Sequence, residues 1–231
     1  MDVILIPGLW LDASSWDEVV PAIERAGHRA HPLTLPGMES VTADRSAITL
    51  RDHVDAVVAT IDSLEGKVAL VAHSAGGAVA HAAVDARPDR VAHAVYVGGF
   101  PLPDGVAIGD EYPAENGEIP LPDWSSFADE DLAELDDAAL ERFRRRAIPS
   151  PEHVTRDPQR LSDERRYDVP VTAIATEYTT EMLRDWITRG MPPVSEFAKI
   201  RSVDYVDLPT GHWPQFTRPD ELARLVLASL D

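Results

Sequence analysis

Residues 70–77, Leu-Val-Ala-His-Ser-Ala-Gly-Gly, carry an apolar strand pattern straight into an alanine-rich helical stretch with no connecting loop. Ser74 must therefore sit on the turn itself. A residue on so tight a turn is forced into an uncommon backbone conformation, which only small neighbours two positions before and after it allow; here they are Ala72 and Gly76. Such a turn exposes the hydroxyl at the carboxyl edge of a sheet. It also aims the first amides of the next helix at the same spot, where they can stabilise an oxyanion. Nucleophilic chemistry at Ser74 competes with a plainer reading, because serine is also a common helix N-cap. Ala72 weakens the pattern further, since it puts a methyl group where the usual motif has glycine.

A serine hydroxyl is a poor nucleophile at neutral pH and needs a base within hydrogen-bond reach, most often histidine. Of the eight histidines, His212 stands out. The run Leu-Pro-Thr-Gly-His-Trp-Pro-Gln-Phe-Thr-Arg-Pro-Asp-Glu-Leu puts it in a short loop between the last strand and the last helix, at the sheet edge expected for Ser74. Its neighbour Trp213 is assigned to substrate binding. His28, His31, His53, His81, His93 and His153 sit among polar neighbours or on helix and strand surfaces and read as solvated or packed residues. His28 and His31 lie three apart across a turn, but no third ligand follows at zinc spacing, so no metal is expected. His73 precedes the serine on a buried strand and reads as support for it.

The elements that must position these residues follow from periodicity. Val3–Ile6 is a short continuous apolar strand pattern ended by Pro7-Gly8. Residues 14–27 place Trp16, Val19, Val20 and Ile23 at helical spacing after serine caps and stop at Gly27, with Pro21 as a kink or near the start. Ala30–Leu35 is a second strand, and residues 49–66 a second helix with Leu50, Val54, Val57 and Ile61 on one face. Lys67–Ala72, Ala75–Ala86 and Ala92–Val97 continue the alternation, which resumes after residue 168 with two more strands and a final helix carrying Pro219 in its first turn. This order predicts an α/β fold, a mostly parallel sheet of about six strands with helices on both faces.

Between residues 103 and 165 the alternation fails, and this stretch reads as an inserted small helical cap on a core formed by 1–102 and 166–231. Residues 129–147 carry a strongly helical pattern. There, Leu132, Leu135 and Leu140 form a packing stripe, with Trp124, Phe127 and Phe143 as further apolar content. The basic patch Arg142, Arg144, Arg145 and Arg146 suits the helix C-terminus.

Forty acidic against 21 basic residues give a formal charge of −19, which would repel a phosphate backbone or an anionic membrane, so neither nucleic acid nor membrane is an expected partner. With no cysteine, disulfides, thiolate catalysis and Cys-type zinc sites are excluded. Met1-Asp2 is acidic where a secretory leader is basic, and no apolar run reaches the ~18 residues of a bilayer span. A cytoplasmic protein acting on a small-molecule substrate without a cofactor is expected; the oligomeric state is not legible.

Strand, serine turn, inserted cap and late Gly-His loop, in that order and over nearly the whole chain, resemble the α/β-hydrolase superfamily. The stretches at 5–37, 94–105 and 211–223 are similar to its compact esterase and hydroxynitrile lyase branch, with Pro7-Gly8 where that branch usually has His-Gly. The resemblance implies an oxyanion hole from the backbone amides of Leu9 and Ala75, which does not depend on side-chain identity. Trp10 would then face the pocket floor, unless it is a core residue. Family members carry an aspartate shortly after the penultimate strand, where this chain reads Thr176-Glu177-Tyr178. Glu177 is therefore the first candidate for the acid, with Glu181, Asp185, Asp104 or no acid at all as alternatives. A serine hydrolase of the carboxylesterase type, acting on a small apolar ester or lactone through Ser74, His212 and Glu177, is expected. The alternatives are a lyase using Ser74 and His212 as a base relay, although Lys67 and Lys199 stand at no matching place, and a pocket-retaining binding protein with a degraded triad.

Overall fold

A computed structural model describes residues 1–230. In chain order it contains β1 (Asp2–Ile6), α1 (Val20–Arg25), β2 (Arg29–Pro32), α2 (Leu50–Ser63), β3 (Val68–His73), α3 (Gly76–Ala86) and β4 (Val91–Val97). A short antiparallel ribbon follows, β5 (Glu118–Ile119) and β6 (Ser150–Pro151), with α4 (Asp137–Arg146) between its strands and α5 (Glu152–Arg156) after them. The chain closes with β7 (Val171–Ala175), α6 (Thr180–Thr188), β8 (Val203–Asp207), α7 (Pro214–Thr217) and α8 (Pro219–Ala228). Six strands form one sheet in the order β2-β1-β3-β4-β7-β8, every neighbouring pair parallel. This is the expected α/β fold.

Parallel strands covered on both faces bury every side chain, which is why they read as continuous apolar runs. Successive residues still point to opposite faces. Ile4, Ile6, Leu70 and Ala72 pack with Val54, Val57 and Ile61 of α2 and Val79 of α3. Val3, Leu5, Ala69 and Val71 pack on the other side with Trp16, Val19, Ile23 and with Leu222 and Val226 of α8. Among the described residues no helix is long and apolar enough to cross a membrane.

Three local readings are corrected. The single helix expected over 14–27 is a 3-10 turn, Ala13–Trp16, followed by α1. Asp12 rather than a serine caps the turn, accepting the Ser14 N–H at 2.9 Å, and Pro21 lies in the first turn of α1, where its missing N–H costs nothing. The second strand ends at Pro32, short of Leu35. The helical pattern over 129–147 becomes helix only from Asp137. Glu134 adopts φ +68°, a left-handed conformation costing about 1–2 kcal/mol, and Asp136 then caps α4 by accepting the Ala139 N–H at 2.7 Å. The strain at Glu134 is offset by its carboxylate, which takes the Arg218 Nε–H at 2.9 Å and the Thr210 hydroxyl at 2.8 Å. Leu132 and Leu135 thus lie in turns, packed against the cluster of Trp10, Phe143 and Trp213 rather than along a helix.

One buried network had no signal in the sequence. His81, on α3, lies between the Tyr96 hydroxyl at 3.1 Å and the Glu196 carboxylate at 3.0 Å, and Arg166 and Lys199 also donate to Glu196, at 3.2 and 2.7 Å. Burial pushes the Glu196 carboxyl up, but hydrogen bonds from His81 and Lys199 outweigh it and bring it to about 2. Glu196→Gln removes the carboxylate shared by His81, Arg166 and Lys199 and leaves Asp85, 3.0 Å from Arg166, as the guanidinium's remaining buried anion. It should lower unfolding free energy by about 2–3 kcal/mol in urea titration, whereas Glu141→Gln, at an exposed pair, should cost under about 1 kcal/mol.

Candidate active site

In an open parallel sheet the crevice beyond the carboxyl ends of the strands collects the chain's loops. Here β1 delivers Leu9 and Trp10, β3 delivers Ser74, β4 Gly98-Gly99, β7 Thr176-Glu177, and β8 His212. Ser74 adopts φ +51°, and its N–H donates to the Val97 carbonyl at 2.9 Å. The turn is crowded: a Cβ at Gly76 would lie 2.6 Å from the Pro7 carbonyl oxygen, closer than real Cβ atoms come, so glycine is required there. Ala72, by contrast, is fully buried in the core beside α2 and α3, where its methyl group has room.

His212 Nε2 lies 2.8 Å from Ser74 Oγ, and His212 Nδ1 lies 2.8 Å from Glu177 Oε1. An ionised carboxylate can only accept, so Nδ1 carries the proton and Nε2 is left to accept the Ser74 hydroxyl. The Thr176 hydroxyl donates to the other oxygen of Glu177. Gly98 makes this contact possible. It adopts φ +54°, and a Cβ there would lie 2.7 Å from Thr176 Oγ1 and 3.6 Å from both Glu177 Oε2 and His212 Nδ1. The other acid candidates are engaged elsewhere or exposed. Asp104 accepts the Leu161 N–H at 2.9 Å, Asp185 pairs with Arg189 at 2.9 Å, and Glu181 is exposed in the first turn of α6. Tyr178 turns into the core against Phe100 and Trp186.

The charges follow the contacts. Burial alone would raise the Glu177 carboxyl, but the His212 ring and the Thr176 hydroxyl outweigh it and bring it to about 2. For His212 burial acts downward and Glu177 upward, and the carboxylate prevails, leaving the imidazole raised above its usual value. His73 is fully buried and is pushed down to about 3, first by desolvation and then by the His212 charge, so it stays neutral. Its Nε2–H donates to the His212 carbonyl oxygen at 2.7 Å and holds that loop in place.

Leu9 and Ala75 line the same cavity, and among the described residues their amides donate to no protein acceptor. The Trp10 amide, by contrast, donates to Ser150 Oγ at 2.8 Å. The cavity above Ser74 has a volume of about 360 Å³, within the range of small-molecule sites. Trp10 and Trp213 both line it, joined by Phe100, Tyr112 and Phe127. Trp10 meets Tyr112 and Phe127 edge-on, and its Nε1–H donates to the Ile119 carbonyl at 3.1 Å, so it is both a wall and a packed residue.

Sequence reasoning missed Gly98, Thr176 and Asp131. The glycine doublet after β4 was a usable signal for the first; nothing local marks the other two. Asp131 accepts the His212 N–H with its backbone carbonyl at 2.8 Å, and its side chain lines the cavity. Asp131, Glu177 and His212 each bring one donor atom within 4.8 Å of the others, a trio in which the imidazole and Glu177 are already bonded to each other.

Residues 3–225 match the family model for the alpha/beta hydrolase family. Methylesterase 7 of Arabidopsis thaliana is 36% identical over 106 residues, covering 44% of this chain and 40% of that protein. A pyrethroid hydrolase of Sphingobium wenxiniae is 33% identical over 97 residues, covering 42% of this chain and 35% of that one. The matches thus span well under half the length of these relatives. Among solved structures, an extracellular α/β-hydrolase from a Paenibacillus species superimposes with a TM-score of 0.77 at 22% identity, over 99% of this chain and 98% of the other. A methylesterase from Arabidopsis superimposes with a TM-score of 0.76 at 17% identity, over 100% and 98%. At such identities the structural likeness speaks for the fold; the family match, which runs across nearly the whole sequence, shows that the chain belongs to the alpha/beta hydrolase family.

Proposed function

We propose that the protein is a serine hydrolase of the carboxylesterase type that cleaves small, mostly apolar esters or lactones through an acyl-enzyme. The observation that carries this reading is the continuous hydrogen-bonded line from Ser74 Oγ through His212 to Glu177, with both contacts at 2.8 Å. The relatives, one named a methylesterase and one a pyrethroid hydrolase, support the reaction class.

In this reading His212 Nε2 takes the Ser74 proton as Oγ attacks the ester carbonyl, and the resulting oxyanion is held by the Leu9 and Ala75 amides. The imidazolium, stabilised by Glu177, gives its proton to the departing alkoxide, and the alcohol leaves. Water then attacks the acyl group as His212 again acts as base, and the acid is released with Ser74 restored. Residues 103–165 act as the cap, because Tyr112, Phe127 and Asp131 come from that segment and close over the nucleophile. The aromatic walls favour an apolar acyl or alkoxy group.

A panel of short-chain aryl and methyl esters tests the reading, with kcat/KM followed from pH 5 to 9. Only the neutral imidazole is a base, and Glu177 raises its pKa, so activity should climb with pH through a limb lying above the ~6.5 of an unperturbed histidine. No turnover of any ester, or a flat profile across this range, would overturn it.

A further inference from the structure

The cavity over Ser74 is charged in one sense only. Asp131 and Glu111 line it besides Glu177, and no lysine or arginine is among its lining residues. Asp131 is the nearer of the two to the reacting groups, its carboxylate lying within 4.8 Å of donor atoms on both His212 and Glu177. It is half-buried and held rather than free to swing away: one of its carboxylate oxygens accepts the Ala128 N–H at 3.0 Å, and its own carbonyl accepts the His212 N–H. Gly211, next to His212, makes this approach possible, since a Cβ there would lie 2.5 Å from the Asp131 carbonyl oxygen. Glu111 is exposed at the rim. Glu177 is held by its hydrogen bond from the His212 ring, whereas no lysine or arginine pairs with Asp131 among the described residues.

We propose that Asp131 is a specificity-determining residue that makes the pocket select uncharged or cationic substrates and reject those carrying a carboxylate. The proposal rests on the ester-hydrolase reading for its substrate class, but it concerns binding as much as turnover. An anionic group entering a partly desolvated cavity beside a fixed carboxylate meets a repulsion that water screens poorly, and the uncompensated acid Glu111 lies on the way in. The same repulsion assists the reaction it serves, because ester cleavage releases a carboxylate from a pocket that held a neutral ester. The chemistry therefore suits the protein to neutral esters and makes it insensitive to inhibition by its acid product.

Two matched measurements test this at pH 8 and low salt. In turnover, 4-nitrophenyl butyrate is compared with 4-nitrophenyl hemisuccinate, which differs by a terminal carboxylate. In binding, calorimetry compares phenylacetamide with phenylacetate and needs no catalysis. Wild type should prefer the neutral member of each pair by tenfold or more. Asp131→Asn should cut that preference by about tenfold, chiefly by admitting the anion, and Asp131→Glu should restore it; 0.5 M NaCl should shrink the difference in wild type. Equal preference in wild type and Asp131→Asn, in a variant with unchanged melting temperature, overturns the proposal even if every ester is cleaved. Conversely, charge-selective binding that disappears in Asp131→Asn upholds it even if no ester is cleaved, an outcome that would sink the hydrolase reading alone.

Discussion

Ser74→Ala should reduce kcat for a neutral aryl ester by about 10⁴- to 10⁶-fold while leaving KM within a few-fold of wild type. The substitution removes one oxygen from a half-buried turn. The φ of +51° is as costly for alanine as for serine, so the folded state should hardly notice, and an unchanged melting temperature checks that. What vanishes is the hydroxyl oxygen 2.8 Å from His212 Nε2 that the proposed mechanism uses as nucleophile. In the proposed mechanism nucleophile and base act as one unit, so the double variant Ser74→Ala/His212→Ala should be no slower than the single one. Multiplicative losses, or a Ser74→Ala variant as fast as wild type, would place the nucleophile elsewhere.

Glu177→Gln should lower kcat by about 10⁴-fold, roughly 5.5 kcal/mol of transition-state stabilisation. The amide is the same size as the carboxylate, so packing against Gly98 and Thr176 survives, but the negative charge beside the imidazolium is gone. The variant carries a second signature. Glu177 does most to raise the His212 pKa against burial, with Asp131 a smaller contributor, so without Glu177 the acid limb of the pH profile should move to lower pH even as the plateau falls. Glu177→Asp keeps the charge on a side chain one carbon shorter and should keep part of the activity. A wild-type rate in Glu177→Gln, or a limb that stays in place, would take this carboxylate out of the mechanism.

The sheet and its helices were legible because burial imposes periods that show in a single chain. Val3–Ile6 reads as a strand since both its faces are covered, and the Leu50, Val54, Val57 and Ile61 spacing reads as a helix since one of its faces is. The corrections fall where a tertiary contact overrode a local pattern. Residues 129–136 are helical by composition, yet they run as turns because Asp131 accepts the His212 N–H and Glu134 is tied to Arg218 and Thr210, contacts made with a loop some eighty residues away. His81 looked like a surface histidine on an alanine-rich helix; its partner Glu196 lies 115 residues on, beyond the reach of any local rule.

The site divides along the same line. By itself the sequence determined that Ser74 lies on a strand-to-helix turn and His212 in a loop at the same sheet edge, because both follow from where strands stop, and strand ends are marked by glycine and proline. It left four carboxylates competing for His212 Nδ1. Only the tertiary structure decided that Glu177 is the one that reaches it, since that depends on how far β7 and β8 run before their loops turn, and on a glycine at 98 that leaves the space open. It also brought Asp131 to the cavity over Ser74 from a segment whose local pattern reads as helix. Distances between loops are set by the packing of the elements that carry them, and no residue spacing within one loop encodes them.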